Sequence, residues 1–554
     1  MVRSHEHGAI STKPTLTSHA ELPLQLTWLG NSYTQHFEHT GDLQDNDNAI
    51  FYHQRAIEST PHSDNNFPGR LSNLGGSYSD RFKYTGDLQD IDYAISHFQR
   101  AVESTPSGHV DLPYVLSNLG KSYIDCFTCM HDLKDINSAI FHLENAVKSI
   151  PINGAPSTLL NNLGASYLSR FNLTRNLQDI DLAISYLQRA VESTPSSYTN
   201  LPTWFNNLGN SYRSHSKHTN DLQDIDHSIS YHQHAIESIP SGHAKLPSLL
   251  INLALSYTER FKSSGNLKDI DYAISHQESA IKSTPSGNAH LCIFFGNLGK
   301  SYELCFQHTH NLPDVQNSIA FYHQAAEGNG SPSARLVAAA VAALLSSELG
   351  DSGCLIDFAL AISLLSELAG LEQTIHHQYA KLCGYPPVVP VAVANALHYN
   401  RPDLALEWLE QGRCLVWNQL NQLHTPVNSL HMRNPSLADR FVKVAKALES
   451  DGTCLALSSH SSYATLAEEI HIQDNTRDHT FHAADYRQLL KEIRDLPDFH
   501  DFLQPPNATN LLSSLRSDGP VIIFNLYEAQ CDALALIAGI KKPLHIPLKN
   551  FSLV

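Results

Sequence analysis

Aspartate recurs at close spacing in "GDLQDIDYAISHFQRAVESTP" (residues 86–106) and in variants of it along the 554-residue chain. Three carboxylates in six residues suit either a divalent cation or the start of a helix. A calcium loop of the EF-hand kind needs oxygen ligands at alternate positions, a glycine at the sixth and a distant glutamate. "DLQDIDYA" has no such layout. The first residue of the hexapeptide is Asp42, Asp87, Asp132, Asn176, Asp221, Asn266 or Asn311, always one of the preferred N-cap types. Three residues on stands Asp45, Asp90, Asp135, Asp179, Asp224, Asp269 or Asp314. An acid there faces the positive end of a helix dipole and is expected to accept from the cap's own amide, as a shortened capping box. The third acid gives way to Asn137 and Gln316. The motif reads as a helix start, not a metal site.

Other candidate chemistry is sparse. "CFTC" places Cys126 and Cys129 two residues apart, with no second such pair in the chain. Nine cysteines without regular spacing read as reduced thiols rather than a disulfide framework. Of the 33 histidines, His53, His97, His142, His232, His276 and His323 fall in the apolar runs that follow the hexapeptides. No pair repeats at ligand spacing, so they read as surface or groove residues. No cofactor and no metal is expected.

The elements that must carry these residues repeat. A triplet "NLG" or its variant ends at Gly30, Gly75, Gly120, Gly164, Gly209, Ala254 and Gly299, in steps of 44 or 45 residues. Each copy shows two apolar stripes of helical period. Leu71, Leu74, Tyr78 and Phe82 make the first; Ile91, Ala94, Ile95, Phe98, Ala101 and Val102 make the second. The tyrosine is present in all seven copies, and an alanine recurs at the place of Ala101, from Ala56 to Ala325. So small a side chain, held at one place, predicts helices that cross closely. Proline closes each unit. One such hairpin cannot bury both its faces, so neighbours must stack.

Leu74, Gly75, Tyr78, Ala94, Phe98, Ala101 and Pro106 resemble the tetratricopeptide signature, over roughly residues 21–330. The period is longer than that family's 34 residues, similar to the long repeats of kinesin light chain. The resemblance implies an all-α, right-handed α-α superhelix that holds extended peptides along the surface lined by its first helices. Asn73, Asn118, Asn162, Asn207, Asn252 and Asn297 precede the invariant leucine. Asparagine is a poor helix former, and its amide both donates and accepts. These six are the candidate peptide-binding residues, with Lys121 and Lys300 among the variable positions beside them. The alternative is that the amides tie adjacent repeats together.

After Pro332 the rhythm stops. "LEQGRCLVWNQLNQLHTP", "EIRDLPDFHDFLQPP" and "GPVIIFNLYEAQCDALALI" resemble fungal proteins in which tetratricopeptide repeats precede a CHAT domain. Active members of that family are cysteine peptidases with a His/Cys dyad. The resemblance reaches only the domain's opening strands, so the dyad falls outside this chain and no enzyme activity is expected. Cys531 is assigned no catalytic role. The expected organisation is a disordered tail (1–20), seven repeats (21–330), degenerate helical repeats (331–426), a helical linker (427–515) and a short, incomplete α/β segment (516–554). A net charge of −18 argues against nucleic acid. The longest apolar stretch, near 336–345, is too short for a bilayer. The expectation is a cytoplasmic interaction scaffold with a protein or peptide partner; the alternative is the recognition arm of a caspase-like peptidase. Oligomeric state is not legible.

Overall fold

The structure, a computed structural model, describes residues 21–130, 132–150, 154–368, 388–412, 425, 427–458 (side chains to 448), 482, 485–516, 519–528, 530–549 and 551. The expected tail 1–20 lies outside them. Two compact units are present, residues 1–243 and 244–554. Their boundary falls inside the stretch of seven repeats.

Unit one is built from five antiparallel hairpins: α1 (Leu22–Thr40) with α2 (Leu43–Glu58), α3 (Phe67–Thr85) with α4 (Leu88–Ser104), α5 (Leu112–Met130) with α6 (Leu133–Lys148), α7 (Ser157–Thr174) with α8 (Leu177–Glu192), and α9 (Leu201–Thr219) with α10 (Leu222–Glu237). Unit two opens with two more, α11 (Leu246–Ser264) with α12 (Leu267–Lys282), and α13 (His290–Thr309) with α14 (Leu312–Glu327). Consecutive hairpins within a unit pack in series. The long period comes from helices of 16 to 20 residues.

Each hairpin turns on two residues. The first helix ends at a left-handed residue such as Gly41 or Gly86, whose N–H donates to a phenylalanine carbonyl. The next residue is the cap. Asp42, Asp87, Asp132, Asn176, Asp221 and Asn266 each accept from the N–H two residues on. Asn311 does not, because the residue two on is Pro313, which has no N–H.

The capping box is overturned. The cap's own N–H instead donates to the hydroxyl two residues before it: Thr40, Thr85, Thr174, Thr219, Ser264 or Thr309. The aspartate at N3 is taken by a side chain nine residues upstream, on the first helix. Arg81 holds Asp90 through two bonds of 2.9 and 2.6 Å. Arg170 holds Asp179, and Arg260 holds Asp269, in the same way. His36 Nδ1 lies 2.5 Å from Asp45, His215 Nδ1 2.5 Å from Asp224, and the thiols of Cys126 and Cys305 donate to Asp135 and Asp314. The third acid is used between hairpins. Arg81 also reaches Asp47 at 2.7 Å, Arg170 reaches Asn137, and His215 lies 3.5 Å from Asp181. The acidic hexapeptide therefore starts a helix, closes its own hairpin and ties it to the one that follows.

The core follows the stripes. Ala56, Ala101, Ala146, Ala190, Ala235, Ala280 and Ala325 are all fully buried. The triplet glycines make room for a large side chain of the second helix: a methyl at Gly120 would stand 2.7 Å from Leu143, and one at Gly164 2.6 Å from Leu187. The invariant tyrosine stacks on a second-helix ring, as Tyr33 on Tyr52, Tyr78 on His97 and Tyr123 on His142, with centroids 5.5 to 5.8 Å apart. Its hydroxyl meets the preceding hairpin: Gln54 donates to Tyr78, Gln99 to Tyr123 and Gln188 to Tyr212, whereas Tyr167 donates to Glu144.

Past the regular repeats, unit two keeps pairing helices. α15 (Pro332–Glu348) lies on α16 (Cys354–Leu368), and Val388–His398 on Pro402–Gly412. A separate apolar cluster forms around Leu430, Phe441, Leu489 and Ile493. The predicted strands are present as an antiparallel meander: β1 (Val521–Leu526), β2 (Cys531–Leu536) and β3 (Leu544–Pro547). One sheet face, with Leu534 and Leu536, joins the helical core, and Asn525 donates to the Pro390 carbonyl at 3.0 Å. All described regular structure other than this sheet is helical.

Candidate peptide-binding groove

The six asparagines are half-buried at one register of the first helices. Helix geometry fixes that register. The serine four residues on, missed as a pattern in the sequence, folds its hydroxyl back onto the asparagine's carbonyl in α3, α5, α7, α9 and α11. The asparagine's backbone carbonyl is thereby occupied, beside the buried leucine.

In unit one the structure brings Asn73, Asn118 and Lys121 together. They border a cavity of about 210 Å³ along α1, α3 and α5, with Asn31, Tyr114 and the Asp80–Lys83 pair on its walls. Asp80 and Lys83 are 2.9 Å apart. Lys121 forms no salt bridge among the described residues, and the side chains of Asn73 and Asn118 hold no hydrogen bond among them. Burial pushes the Asp125 carboxyl up, against the pull of Lys83 and Lys121. Further along, the amides are occupied: Asn207 donates to Asn161 at 3.0 Å, and Asn161 to Asn162 at 3.4 Å. There the asparagines link two hairpins.

Asn252, Asn297 and Lys300 belong to unit two. Lys300 is paired with Glu303 at 2.6 Å, and Glu303 also accepts from Gln307 and Tyr322. Trp28 occupies the asparagine position of α1 and is 65% exposed. The 45-residue register was enough to find it; only its different residue type hid it.

Five of the six histidines pack between the two helices of a hairpin, His53 also bordering the groove cavity, and His323 lies 2.9 Å from Asp357. His97, His142 and His276 share one position, stacked on the invariant tyrosine. His53 and His232 share the next, wedged against Gly30 and Gly209. Burial pushes His53 and His97 down to about 4 and His232 down to about 3. The Cys126 thiol is no candidate nucleophile either. Burial first, then the Asp135 carboxylate, raises Cys126 far above the usual thiol range, the reverse of what a nucleophile needs. Cys531 is buried and its thiol donates to the Tyr527 carbonyl. Among the described residues no cluster of His, Cys, Asp and Glu is arranged to hold a metal, and no helix is long and apolar enough to cross a membrane.

No family model matches the chain, and no curated protein matches it. Solved structures that align with it include the C-terminal part of a TPR repeat-containing protein from Cytophaga hutchinsonii, at 15% identity and a TM-score of 0.33, covering 52% of this chain and 94% of that one. YrrB, a TPR protein with an unusual peptide-binding site, aligns at 18% identity and a TM-score of 0.29, covering 42% and 95%. The TPR2AB domain of yeast Sti1, solved with pHSP90, aligns at 13% and 0.19, covering 51% and 99%. The fold rests on the chain's own geometry: paired helices stacked hairpin on hairpin, the tetratricopeptide arrangement.

Proposed function

We propose that this chain is a protein-interaction scaffold that holds extended peptide segments against the first helices of its hairpins. In unit one Asn73 and Asn118 read the peptide backbone and Lys121 contributes charge, while Asn162 and Asn207 join hairpins; Asn252, Asn297 and Lys300 are the corresponding positions of unit two. The observation that carries the reading is the pair Asn73 and Asn118, amides with no hydrogen bond among the described residues, on a cavity too small for a cofactor. At about 210 Å³ it falls below the ~300–1,000 Å³ of small-molecule pockets and suits one side chain of a longer ligand. Neighbouring helices lie about 10 Å apart and an extended chain rises about 3.3 Å per residue, so one amide meets about every third residue. Buried thiols fit a reducing cytoplasm.

Alanine at Asn73 and Asn118 together abolishes capture of displayed random peptides while the circular-dichroism spectrum and melting point stay near wild type. Undiminished capture refutes the ladder.

A second reading draws on the sheet. Ile522, Phe524 and Leu526 of β1 and Leu544 and Ile546 of β3 are exposed, and the register puts them with Ala533 and Ala535 on one apolar face. Such a face suits a larger α/β layer, as in the fungal tetratricopeptide–CHAT type, with the array as recognition arm of a cysteine peptidase. A thiol-protease activity probe tests it: labelling of this chain would favour the enzyme, and we expect none.

A further inference from the structure

The wall of the groove in unit one changes character along its length. At Lys121 it carries an ammonium with no salt bridge among the described residues: Asp80 is held by Lys83 at 2.9 Å, and Asp125, one turn on, attracts Lys121 without forming an ion pair with it. Amides and hydroxyls surround it, and Ser72, only 8% exposed, turns a hydroxyl with no partner among the described residues toward the same cavity. At α1 the wall is apolar. Trp28 and Leu24, one helical turn apart, are 65% and 47% exposed.

Their exposure is not explained by the absence, among the described residues, of a hairpin before α1. The α1 positions that would meet such a hairpin are Leu22 and Leu29, whose counterparts Phe67 and Leu74 are buried against Ile57 and Ile50 of α2. The counterparts of Leu24 and Trp28 on α5 are Tyr114 and Asn118, and both line the cavity. Leu24 and Trp28 therefore stand on the groove face itself. Trp28 replaces the asparagine that the other six hairpins carry.

We infer that unit one's groove recognises an extended peptide segment with two anchors: an acidic side chain seated beside Lys121, Asn73 and Asn118, and an apolar or aromatic side chain lying on Leu24 and Trp28. The inference rests on the peptide-binding reading above and adds the ligand's chemistry and spacing. Two hairpin steps of about 10 Å separate α1 from α5, so the anchors are about six residues apart in an extended chain. An acid matches Lys121, the lysine of the wall that holds no salt bridge among the described residues. A flat aromatic gains stacking area on the indole that it cannot gain on an asparagine.

The probe is a display library of random 12-residue peptides panned on the full chain. Wild type is expected to enrich sequences with an Asp or Glu about six positions from an aromatic or large aliphatic residue. Lys121→Glu should remove the acidic preference and weaken a selected peptide about tenfold, with the apolar preference intact. Trp28→Asn should do the converse. Both residues are exposed, and each variant's melting point reports that its fold is unchanged. Enriched peptides without an acidic position, or an acidic preference that survives Lys121→Glu, overturn the inference but leave the peptide-binding reading standing. Enrichment of nothing overturns both.

Discussion

Acid should loosen the first hairpin through one side chain. His53 is 3% exposed, and burial holds its pKa near 4 rather than 6.5. The folded state keeps the ring neutral while the unfolded chain protonates it, so stability is present above pH 6.5 and lost as pH falls toward 4. For a pKa of about 4 against 6.5, the loss is about 2 kcal/mol at pH 5 and close to zero at pH 7.5. The array supplies its own replacement, because the next hairpin carries Phe98 at this position, against Gly75. His53→Phe should therefore match wild type near pH 7.5 and exceed it by about 2 kcal/mol at pH 5. Hydrogen exchange of the α2 amides Ala49 to Ala56, corrected for intrinsic rates, reads that difference locally. Asp92, which burial and the neighbouring Asp135 and Asp87 push up to about 6, titrates in the opposite sense but equally in both proteins, and cancels. Identical pH dependence in the two would refute the argument.

Three further outcomes follow from the packing. Gly120→Ala drives a methyl to 2.7 Å from Leu143 and 3.2 Å from the Ala139 carbonyl, so it should cost about 1–3 kcal/mol in a urea titration. Arg81→Ala strands Asp90, 3% exposed, and should cost about 3 kcal/mol, whereas Lys83→Ala, which removes an exposed surface pair, should cost under about 1 kcal/mol. Gln277 is fully buried, and neither its amide oxygen nor its nitrogen has a hydrogen-bond partner among the described residues. The double change Ala254→Gly with Gln277→Leu installs the glycine–leucine pair of the third and fourth hairpins. It should stabilise unit two by roughly 1 kcal/mol, the burial gain less the cost of a helical glycine.

The helices, their period, their caps and the three strands were legible in the sequence because each depends on residues close together in the chain. The hairpin clamp was not, since its partner to the aspartate lies nine residues upstream and is an arginine, a histidine or a cysteine. A role shared by three residue types leaves no motif to align. The stacked ring opposite the tyrosine hid in the same way, being Tyr52, His97, His142 or Phe321 by turns. The candidate site was half legible. Register located the asparagines, but which amides were already occupied depended on neighbours such as Asn161, whose reach across hairpins no spacing rule predicts. Trp28 was passed over because attention to one residue type conceals a position that changes type.

Cysteine at 126 has a mechanical consequence. Arg81 rivets hairpin one to two, and Arg170 rivets three to four. At the joint between two and three the same place holds a neutral thiol, facing Asp92 and Asp135, whose carboxylates are both pushed up. That joint has no cationic bolt among the described residues and two acids that repel each other, leaving it to the Gln99–Tyr123 bond and the apolar contacts, and a pulling experiment on unit one is expected to part it there first. On the peptide-binding reading proposed above, widening at that joint would open the groove between Asn73 on one side and Asn118 on the other.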